Sequence, residues 1–396
     1  MKKTWQRLRL SEVADVFDGP HATPKTVDKG PIFLGIGAIQ DGAINLGETR
    51  HVTAEDFAQW TRRVKPRPND VVFSYETRLG QAAIIPQGLE CCLGRRMGLV
   101  RLRSEAIVPQ FFLYQYLSPQ FRDFLDSKTI RGATVDRLSV KDFPSFPIDV
   151  PSLPEQHRIV AILDEAFDGI ATAKANAENN LQNARALFEA QLESVLCSKE
   201  WEWTTLGELC EGVEYGTSAK SASEGGVPVL RMGNIQNRRF DWKNLVYTDD
   251  KDEIARYLLR HNDVLFNRTN SPELVGKAAI YKSEMPAIFA GYLIRIQRKE
   301  DLLDGDFLNY FLNSKIALDY GKTVVISSVN QANINGTKLK GYPIPAPSLQ
   351  NQQIIVRQLN DLRDETQRLE AVYKQKLTAL HDLKKSLLQQ AFTGQL

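Results

Sequence analysis

The side chains that most often bind metals or act as nucleophiles are scattered along this chain. The five histidines have no cysteine or carboxylate at metal-ligand spacing; they are His21, His51, His157, His261 and His381. Cys91 and Cys92 are adjacent, without the CxxC spacing that lets two thiolates share a metal, and Cys197 and Cys210 are isolated. We therefore predict reduced, structural cysteines and no metal site.

Motifs for other catalytic sites are also missing from the sequence. There is no GxxxxGK[ST] phosphate loop, no HExxH and no GxSxG. Gly35-Ile36-Gly37-Ala38 contains a GxG without the third glycine of a cofactor loop, which favours a turn between strands. The 396 residues are 42% hydrophobic and 25% charged, as in ordinary globular proteins. These features indicate recognition rather than catalysis, so no catalytic residue is predicted.

The chain contains one domain-sized sequence twice. Pro151-Ser152-Leu153 with Gln156 recurs as Pro347-Ser348-Leu349 with Gln352, an offset of 196 residues. The same offset carries Gly80-Gln81-Ala82-Ala83-Ile84 onto Gly276-Lys277-Ala278-Ala279-Ile280. Solenoid repeats are much shorter, about 20–50 residues, so each copy is a domain-sized unit. A tandem duplication predicts approximate two-fold symmetry and a target or partner that is itself bipartite.

Residues 1–150 and 199–346 have a mixed α/β pattern, with short β-prone runs broken by Gly, Pro and Asp-Gly turns. The predicted strands are 32–34, 71–73 and 82–85 in the first copy, and 229–230, 264–266 and 278–281 in the second. One helix is predicted beside each sheet, from Phe111 to Leu125 and from Asp306 to Tyr320. A proline cluster then closes each globular part.

Each copy ends in a segment that reads as one long helix, 151–198 and 347–396. Apolar residues recur in steps of three or four, the spacing of a coiled-coil seam. The predicted seam residues are Ile159, Leu163, Ile170, Leu181, Phe188, Ile355, Leu359, Leu362, Leu369, Leu380 and Leu387. At about 42 residues each helix would be roughly 60 Å long. We predict that the two helices pair with each other; the alternative is that each packs back onto its own domain.

The two predicted long helices differ in net charge. Residues 151–198 carry 3 basic and 7 acidic residues, whereas residues 347–396 carry 7 and 5, which favours pairing between the two helices over self-pairing.

Residues 1–150 have a net charge of +4 and residues 199–346 of zero, so charge alone does not indicate DNA binding. No stretch reaches the ~18 apolar residues of a membrane span, and residues 1–7 do not resemble a signal peptide, so we expect a cytoplasmic protein.

Four stretches, in order and at duplicated positions, are similar to one known family. They are Phe146-Pro147-Ile148 with Pro151-Ser152-Leu153-Pro154-Glu155-Gln156, then Asn262 to Lys277 with a looser first-copy counterpart in Asn69 to Gly80, then Asn330 to Asn335, and finally Leu387 to Leu396. Together they resemble the specificity (S) subunit of Type I restriction–modification systems, and the resemblance covers the whole chain.

The resemblance implies two target-recognition domains, 1–150 and 199–346, each followed by a coiled-coil helix, with the two helices antiparallel. Each domain would read one half of a bipartite DNA target, and the coiled coil would set the spacer and dock the modification subunits, two of which are expected. Those subunits would methylate adenine with S-adenosylmethionine, and restriction subunits would add ATP- and Mg-dependent translocation and cleavage. This chain would then be non-catalytic and bind no cofactor itself.

Under that resemblance, base reading favours basic and amide side chains on loops, because Arg suits guanine and Asn or Gln suits adenine. The candidates are Arg78, Arg95, Arg96, Arg131, Arg137, Arg231, Asn234, Asn267, Arg268, Asn270, Lys277, Asn330, Gln331 and Asn333. The alternative for Asn267, Asn270 and Asn333 is to cap helices or fix turns, and for Arg95 or Arg268 to pair with an internal carboxylate. Loops that differ between the copies, such as Asn237–Tyr247, are better places to seek specificity than shared motifs.

Other functions remain open on the sequence alone. One is the specificity subunit of a related system, such as Type IIB restriction or a phage-exclusion methylase. Another is a coiled-coil scaffold that binds no DNA, which a salt-dependent mobility shift would separate from a DNA reader. A stand-alone enzyme is disfavoured by the missing motifs.

Overall fold

The long helix that follows each copy is continuous, and it is the element around which each half of the molecule is organised. A computed structural model of the chain describes residues 5–103, 105–132, 135–328 and 331–396. Its backbone contacts divide into two units, Met1–Glu178 with Gln375–Leu396, and Asn179–Lys374. Each unit contains one globular domain and a segment of each long helix.

The first domain is a mixed α/β fold. Its strands are β1 Gln6–Arg9, β2 Ala14–Asp18, β3 Val27–Leu34, β4 Ile39–Gln40, β5 Ala43–Ile44, β6 Arg50–His51, β7 Val71–Ser74, β8 Ala82–Ile84, β9 Cys91–Leu93, β10 Met97–Leu102 and β11 Pro147–Val150. Its helices are α1 Leu10–Val13, α2 Ala54–Trp60, α3 Pro109–Leu117 and α4 Pro119–Lys128, and the long helix α5 is Leu153–Leu196.

An antiparallel sheet of order β2-β10-β7-β8 forms the centre of the first domain. Its central strand β7 is buried on both faces, as the apolar run Val71-Val72-Phe73 requires. Phe73 stacks on Phe143, with ring centroids 4.3 Å apart, in a core that α3 and α4 also line. β1 pairs with β11, so the two ends of the domain meet where α5 begins.

The second domain repeats this arrangement. Its strands are β12 Trp203–Thr205, β13 Cys210–Tyr215, β14 Val227–Leu230, β15 Ile235–Gln236, β16 Arg239–Phe240, β17 Val246–Thr248, β18 Val264–Asn267, β19 Thr269–Asn270, β20 Ala278–Ile280, β21 Ile288–Phe289, β22 Leu293–Arg298, β23 Ile326–Ser328, β24 Gln331–Asn333 and β25 Pro343–Pro345. Its helices are α6 Lys251–Tyr257, α7 Gly305–Leu312, α8 Lys315–Val324 and α9 Gly336–Lys340, and the long helix α10 is Leu349–Thr393.

Most sheets of the two domains correspond strand by strand. β13-β22-β18-β20 matches β2-β10-β7-β8, β12-β25 matches β1-β11, and β17-β14-β21 matches β6-β3-β9. Every strand predicted above is present, with β8 and β20 each ending one residue short of the predicted limit. The predicted mixed α/β class is therefore confirmed.

The prediction of a single helix beside each sheet was wrong, because each domain has two helices there. In the first domain the break lies at Ser118, whose Oγ accepts a hydrogen bond from the Phe121 N–H and donates to the Gln115 carbonyl. Pro119, which has no N–H, then begins α4. Ser314 makes the same N-cap at the start of α8. A buried serine can cap a second helix within a segment whose apolar spacing predicts a single helix.

The two long helices run antiparallel. In the first unit Ile159 and Leu163 near the start of α5 share a cluster with Leu388 and Ala391 near the end of α10. In the second unit Leu192, near the end of α5, shares a cluster with residues near the start of α10. Each helix also packs on its own domain, so the alternative considered from sequence coexists with pairing. Of the predicted seam residues, Ile159, Leu163, Phe188, Ile355 and Leu359 are buried, and Ile170, Leu181, Leu362, Leu369, Leu380 and Leu387 are half-buried.

A fully buried glutamine attaches each domain to the first turns of its own long helix. Gln156 Oε1 accepts from the Val108 N–H at 2.9 Å, and its Nε2 donates to the carbonyls of Ala106 and Pro151. Gln352 makes the same three bonds to Asp304, Leu302 and Pro347. Because every polar atom of these amides is satisfied, their burial stabilises one geometry between domain and helix.

Candidate nucleic-acid interface

In the second domain, four of the predicted DNA-binding residues lie on or beside a small sheet of order β19-β24-β23. Asn270 is on β19, Gln331 and Asn333 are on β24, and Arg268 directly precedes β19. Asn333 Nδ2 donates to Thr269 Oγ1 at 2.7 Å, and Asn270 Oδ1 accepts from the Ser271 N–H at 2.8 Å. The two amides are thus held at fixed places on the sheet, while the Gln331 side chain is exposed.

Arg268 is held by an aromatic ring rather than by a carboxylate. Its guanidinium lies 4.8 Å from the centroid of the Tyr215 ring, and its Nη1 is 3.4 Å from the Gly291 carbonyl. The Tyr215 hydroxyl accepts from the Gly336 N–H, which fixes the ring. Among the described residues no acceptor bonds the buried Nε of Arg268. A stacked guanidinium with spare donors suits a phosphate or a base edge.

Two exposed tyrosines lie next to this arginine. Tyr215 is 40% and Tyr292 50% exposed, and the Arg268 N–H bonds the Tyr292 carbonyl. Sequence reasoning missed both tyrosines. The duplication offered a signal for Tyr292, because it lies 196 residues after Arg96, which was a candidate. Tyrosines beside an arginine give a surface on which sugar and base faces can pack.

The first domain has the same construction at the equivalent place. Arg137 bridges Glu76 and Ile130, just as Asn333 of β24 pairs with Thr269 and Ile326. Ile130 and Arg137 are both 196 residues before their counterparts Ile326 and Asn333. The structure therefore places Arg137, an exposed arginine, where the second domain has an amide.

Two backbone outliers accompany Arg137. Arg96 has φ of 71° and Thr77 has φ of 66°, a conformation that is uncommon for side chains with a Cβ and most unfavourable for a β-branched one. Arg96 Nε lies 2.9 Å from Glu76 Oε2, so the strained segment is tied to the bridge that Arg137 makes. Burial, with the Asp18 carboxylate, raises the pKa of the neighbouring Tyr75, which stays neutral. Strain of this kind often accompanies binding surfaces.

The remaining candidates among the described residues range from exposed to half-buried. In the first domain Arg95 and Arg131 are exposed, and Arg78 Nη1 donates to the Gly37 carbonyl at 2.9 Å. In the second domain Lys277 is half-buried, and Asn330 lies outside the described residues. Arg231 is exposed and its Nη2 donates to the Asn244 carbonyl.

Asn234 and Asn267 lie in the interior of the second domain. Asn234 accepts from the Arg231 N–H and donates to the carbonyls of Asp241 and Lys243, so it holds the loop that follows β16. Asn267 is completely buried and donates to the Leu274 carbonyl. These amides shape the loops around the surface; the turn-fixing alternative for Asn267 agrees with its position.

The family model for the Type I restriction modification DNA specificity domain matches twice, at residues 2–183 and 198–379. The chain belongs to that family. The family resemblance inferred from the four sequence stretches is therefore confirmed, and so is the tandem arrangement of two such domains.

Relatives of the family extend over most of the chain. The Type I restriction enzyme StySPI specificity subunit of Salmonella potsdam is 26% identical over 353 residues, which cover 84% of this chain and 76% of the relative. The Type I restriction enzyme EcoKI specificity subunit of Escherichia coli K12 is 24% identical over 355 residues, with the same two coverages.

Solved structures share the fold over the whole length of this specificity-domain protein. A chain from work on complex assembly and conformational transition of the type I R-M system covers 99% of this chain and 98% of its own, with a TM-score of 0.77 and 21% identity. The HsdS subunit of Thermoanaerobacter tengcongensis covers 99% and 97%, with a TM-score of 0.60 and 20% identity. Across the described ranges, every helix is either too short or too polar to cross a lipid bilayer.

Proposed function

We propose that this chain is the DNA specificity subunit of a Type I restriction–modification complex, and that each domain reads one half of a bipartite DNA target. The observation that carries the proposal is the occurrence of two DNA specificity domains in one chain that present different side chains at one equivalent place. Arg137 in the first domain would favour guanine, and Asn333 in the second would favour adenine. A duplicated reader with unlike contact residues suits a split site with unlike halves.

The long helices are proposed to act as the spacer and as a docking surface. α5 has 44 residues and α10 has 45, and their seam leaves polar outer faces for partner proteins. Paired helices of fixed length hold two readers at a fixed separation, as dimer geometry does for half-sites in other DNA-binding proteins. We propose that two modification subunits dock there.

The chain itself is proposed to be non-catalytic and to bind no cofactor. The modification subunits would supply S-adenosylmethionine and methylate adenine, and restriction subunits would supply ATP- and Mg-dependent translocation and cleavage. The assembled complex would act in the cytoplasm, where its DNA target is. The family membership and the specificity subunits among the relatives support this division of labour.

The test begins in cells that contain this gene and the adjacent modification gene. Sequencing of methylated adenines should yield one motif with two specified halves and an unspecified spacer of constant length. The purified chain with its modification subunit should then bind a duplex of that motif, and binding should weaken steeply with salt. A methylation pattern without two halves, or one unaffected by deletion of this gene, would contradict the proposal.

A further inference from the structure

The tips of two matching β-hairpins differ in charge where the domains otherwise agree in fold. Asp41-Gly42 joins β4 to β5, and Asn237-Arg238, 196 residues later, joins β15 to β16. All four residues have positive φ, with 96° at Gly42 and 66° at Arg238. Two-residue turns of this kind prefer Asn, Asp or Gly. Arg238 therefore occupies a position for which its side chain is poorly suited.

Contacts within the second unit hold Arg238 in that conformation. Its Nη2 lies 2.5 Å from Glu189 Oε1 on α5, and its guanidinium is 5.0 Å from the centroid of the Phe188 ring. Its backbone carbonyl accepts from Asn309 Nδ2 on α7 at 3.2 Å. A residue in an unfavourable backbone conformation persists where its surroundings fix it, and such outliers point to a role.

In the corresponding contact of the first unit, the cation is on the helix and the anion is on the hairpin. Lys384 on α10 donates from Nζ to the Asp41 carbonyl at 3.2 Å and lies 5.0 Å from the centroid of the Phe167 ring. Burial lowers the pKa of Lys384, and the Asp41 carboxylate acts in the other direction. Lys384 is 196 residues after Phe188, so both hairpins meet matching stretches of the two helices.

Each hairpin thus contacts the long helix of the other copy. Gln156 and Gln352, in contrast, attach each domain to the helix that follows it in its own copy. Apolar clusters hold each domain against both helices, and the glutamine and the hairpin add two polar contacts at separate places, one on each helix. A body attached at two places resists rocking, which attachment at one place permits.

We infer that Arg238 and Lys384 are positioning residues that fix the orientation of each recognition domain on the helix pair by holding its hairpin to the opposite copy's helix. The inference rests on the proposed function. Its consequence is that discrimination between spacer lengths depends on these two contacts as well as on the length of the helices. The reversed charges add a second consequence: a hairpin tip with Asp41 placed beside Glu189, or one with Arg238 placed beside Lys384, would face a like charge.

The test uses the full chain with its modification subunits and the split site found by methylation sequencing. Affinity is measured for duplexes with the native spacer and with spacers one base pair shorter and longer. The readout is the ratio of the affinity for the native spacer to the affinity for the altered spacers. Arg238→Glu should reduce this ratio roughly fivefold, since it replaces a partly exposed ion pair by a like-charge contact. The double variant Arg238→Glu with Glu189→Arg should recover most of the loss.

Two further variants separate positioning from stability. Arg238→Gly removes the contact but suits the positive φ, so the protein should fold normally and still lose spacer discrimination. Arg239→Glu makes the same charge change at an exposed neighbour on the same hairpin and should leave the ratio unchanged.

The failures of the two proposals are distinguishable. If Arg238→Gly and Lys384→Glu both keep the wild-type ratio, or if charge exchange gives no recovery, the positioning role is overturned and the proposed function stands. If the wild-type complex shows no preference among spacers on any split site, the proposed function itself fails.

Discussion

Arg137 and Asn333 occupy the same place in the two domains, each paired across a short bridge with the segment that follows the central strand β7 or β18. Their flanking partners Ile130 and Ile326 are equivalent too. The fold thus presents one position twice with two different side chains, and base preference is expected to differ there between the half-sites.

Exchange of the first of these residues should change the sequence that the first domain reads. Arg137→Asn should weaken binding to the native first half-site by about 1–3 kcal/mol, the discrimination of one bidentate contact, and shift the preference from guanine toward adenine at one position. Methylation sequencing of cells with the variant provides the measurement.

Asn333→Ala is the matched control, because it should relax the base preference at the second half-site only. If Arg137→Asn left the base preference at the first half-site unchanged, Arg137 would not be a base-reading residue.

Arg268 is expected to contact a phosphate, because its half-buried guanidinium is stacked on Tyr215 and forms no ion pair with a carboxylate among the described residues. Arg268→Met should lower affinity at all sequences and reduce the slope of log affinity against log salt by about 0.9. Arg260, exposed at the other end of β18, provides the control, and Arg260→Gln should leave the slope as it is. An unchanged slope for Arg268→Met would assign Arg268 to the fold alone.

The buried glutamines should be important for stability. Gln352→Leu removes three hydrogen bonds and takes the amide partner from backbone groups of Asp304, Leu302 and Pro347, of which Pro347 is buried, so the free energy of unfolding should fall by about 2–4 kcal/mol. Gln353→Leu, at an exposed neighbour, should change it by less than about 0.5 kcal/mol. Urea denaturation of both variants decides; equal midpoints would contradict the assignment.

The cysteines predict a thiol-labelling pattern and an alkaline loss of stability. Cys91, Cys92 and Cys210 are buried and Cys197 is exposed, so a thiol reagent at pH 8 should modify Cys197 and reach the others only after unfolding. Burial raises the pKa of Cys91 to about 12 and of Cys92 to about 11.

Because these pKa values are higher in the folded state than in the unfolded one, the folded chain retains protons that the unfolded chain releases. Their stabilising contribution is complete below about pH 9 and is lost as pH rises toward 11–12. Denaturant midpoints measured from pH 8 to pH 10.5 should fall, and Cys197→Ser should show the same decline. A flat profile would contradict the buried placement of the two thiols.

Much of the architecture could be predicted because it depends on local pattern. The apolar steps of three or four residues in 151–198 and 347–396 need a helix whatever surrounds them, and α5 and α10 extend across those segments. Ser118-Pro119 is a local signal for a helix break that the prediction of one helix overlooked, whereas no proline follows Ser314, and its break depends on a buried hydroxyl that continues an apolar face. Asn267 was a candidate for DNA contact by residue type, but it is buried at the end of the central strand β18, where its amide donates to the Leu274 carbonyl.

The sequence by itself determined that the chain is a duplicated α/β protein with two long helices, since periodicity and a constant offset of 196 residues are properties of the chain order alone. Only the tertiary structure decided that Arg137 and Asn333 each bridge to the segment after the central strand, that Arg268 is stacked on Tyr215, and that each hairpin tip contacts the opposite copy's helix. Those relationships join residues far apart in the chain, and the packing of strands and helices sets them rather than any spacing in the sequence.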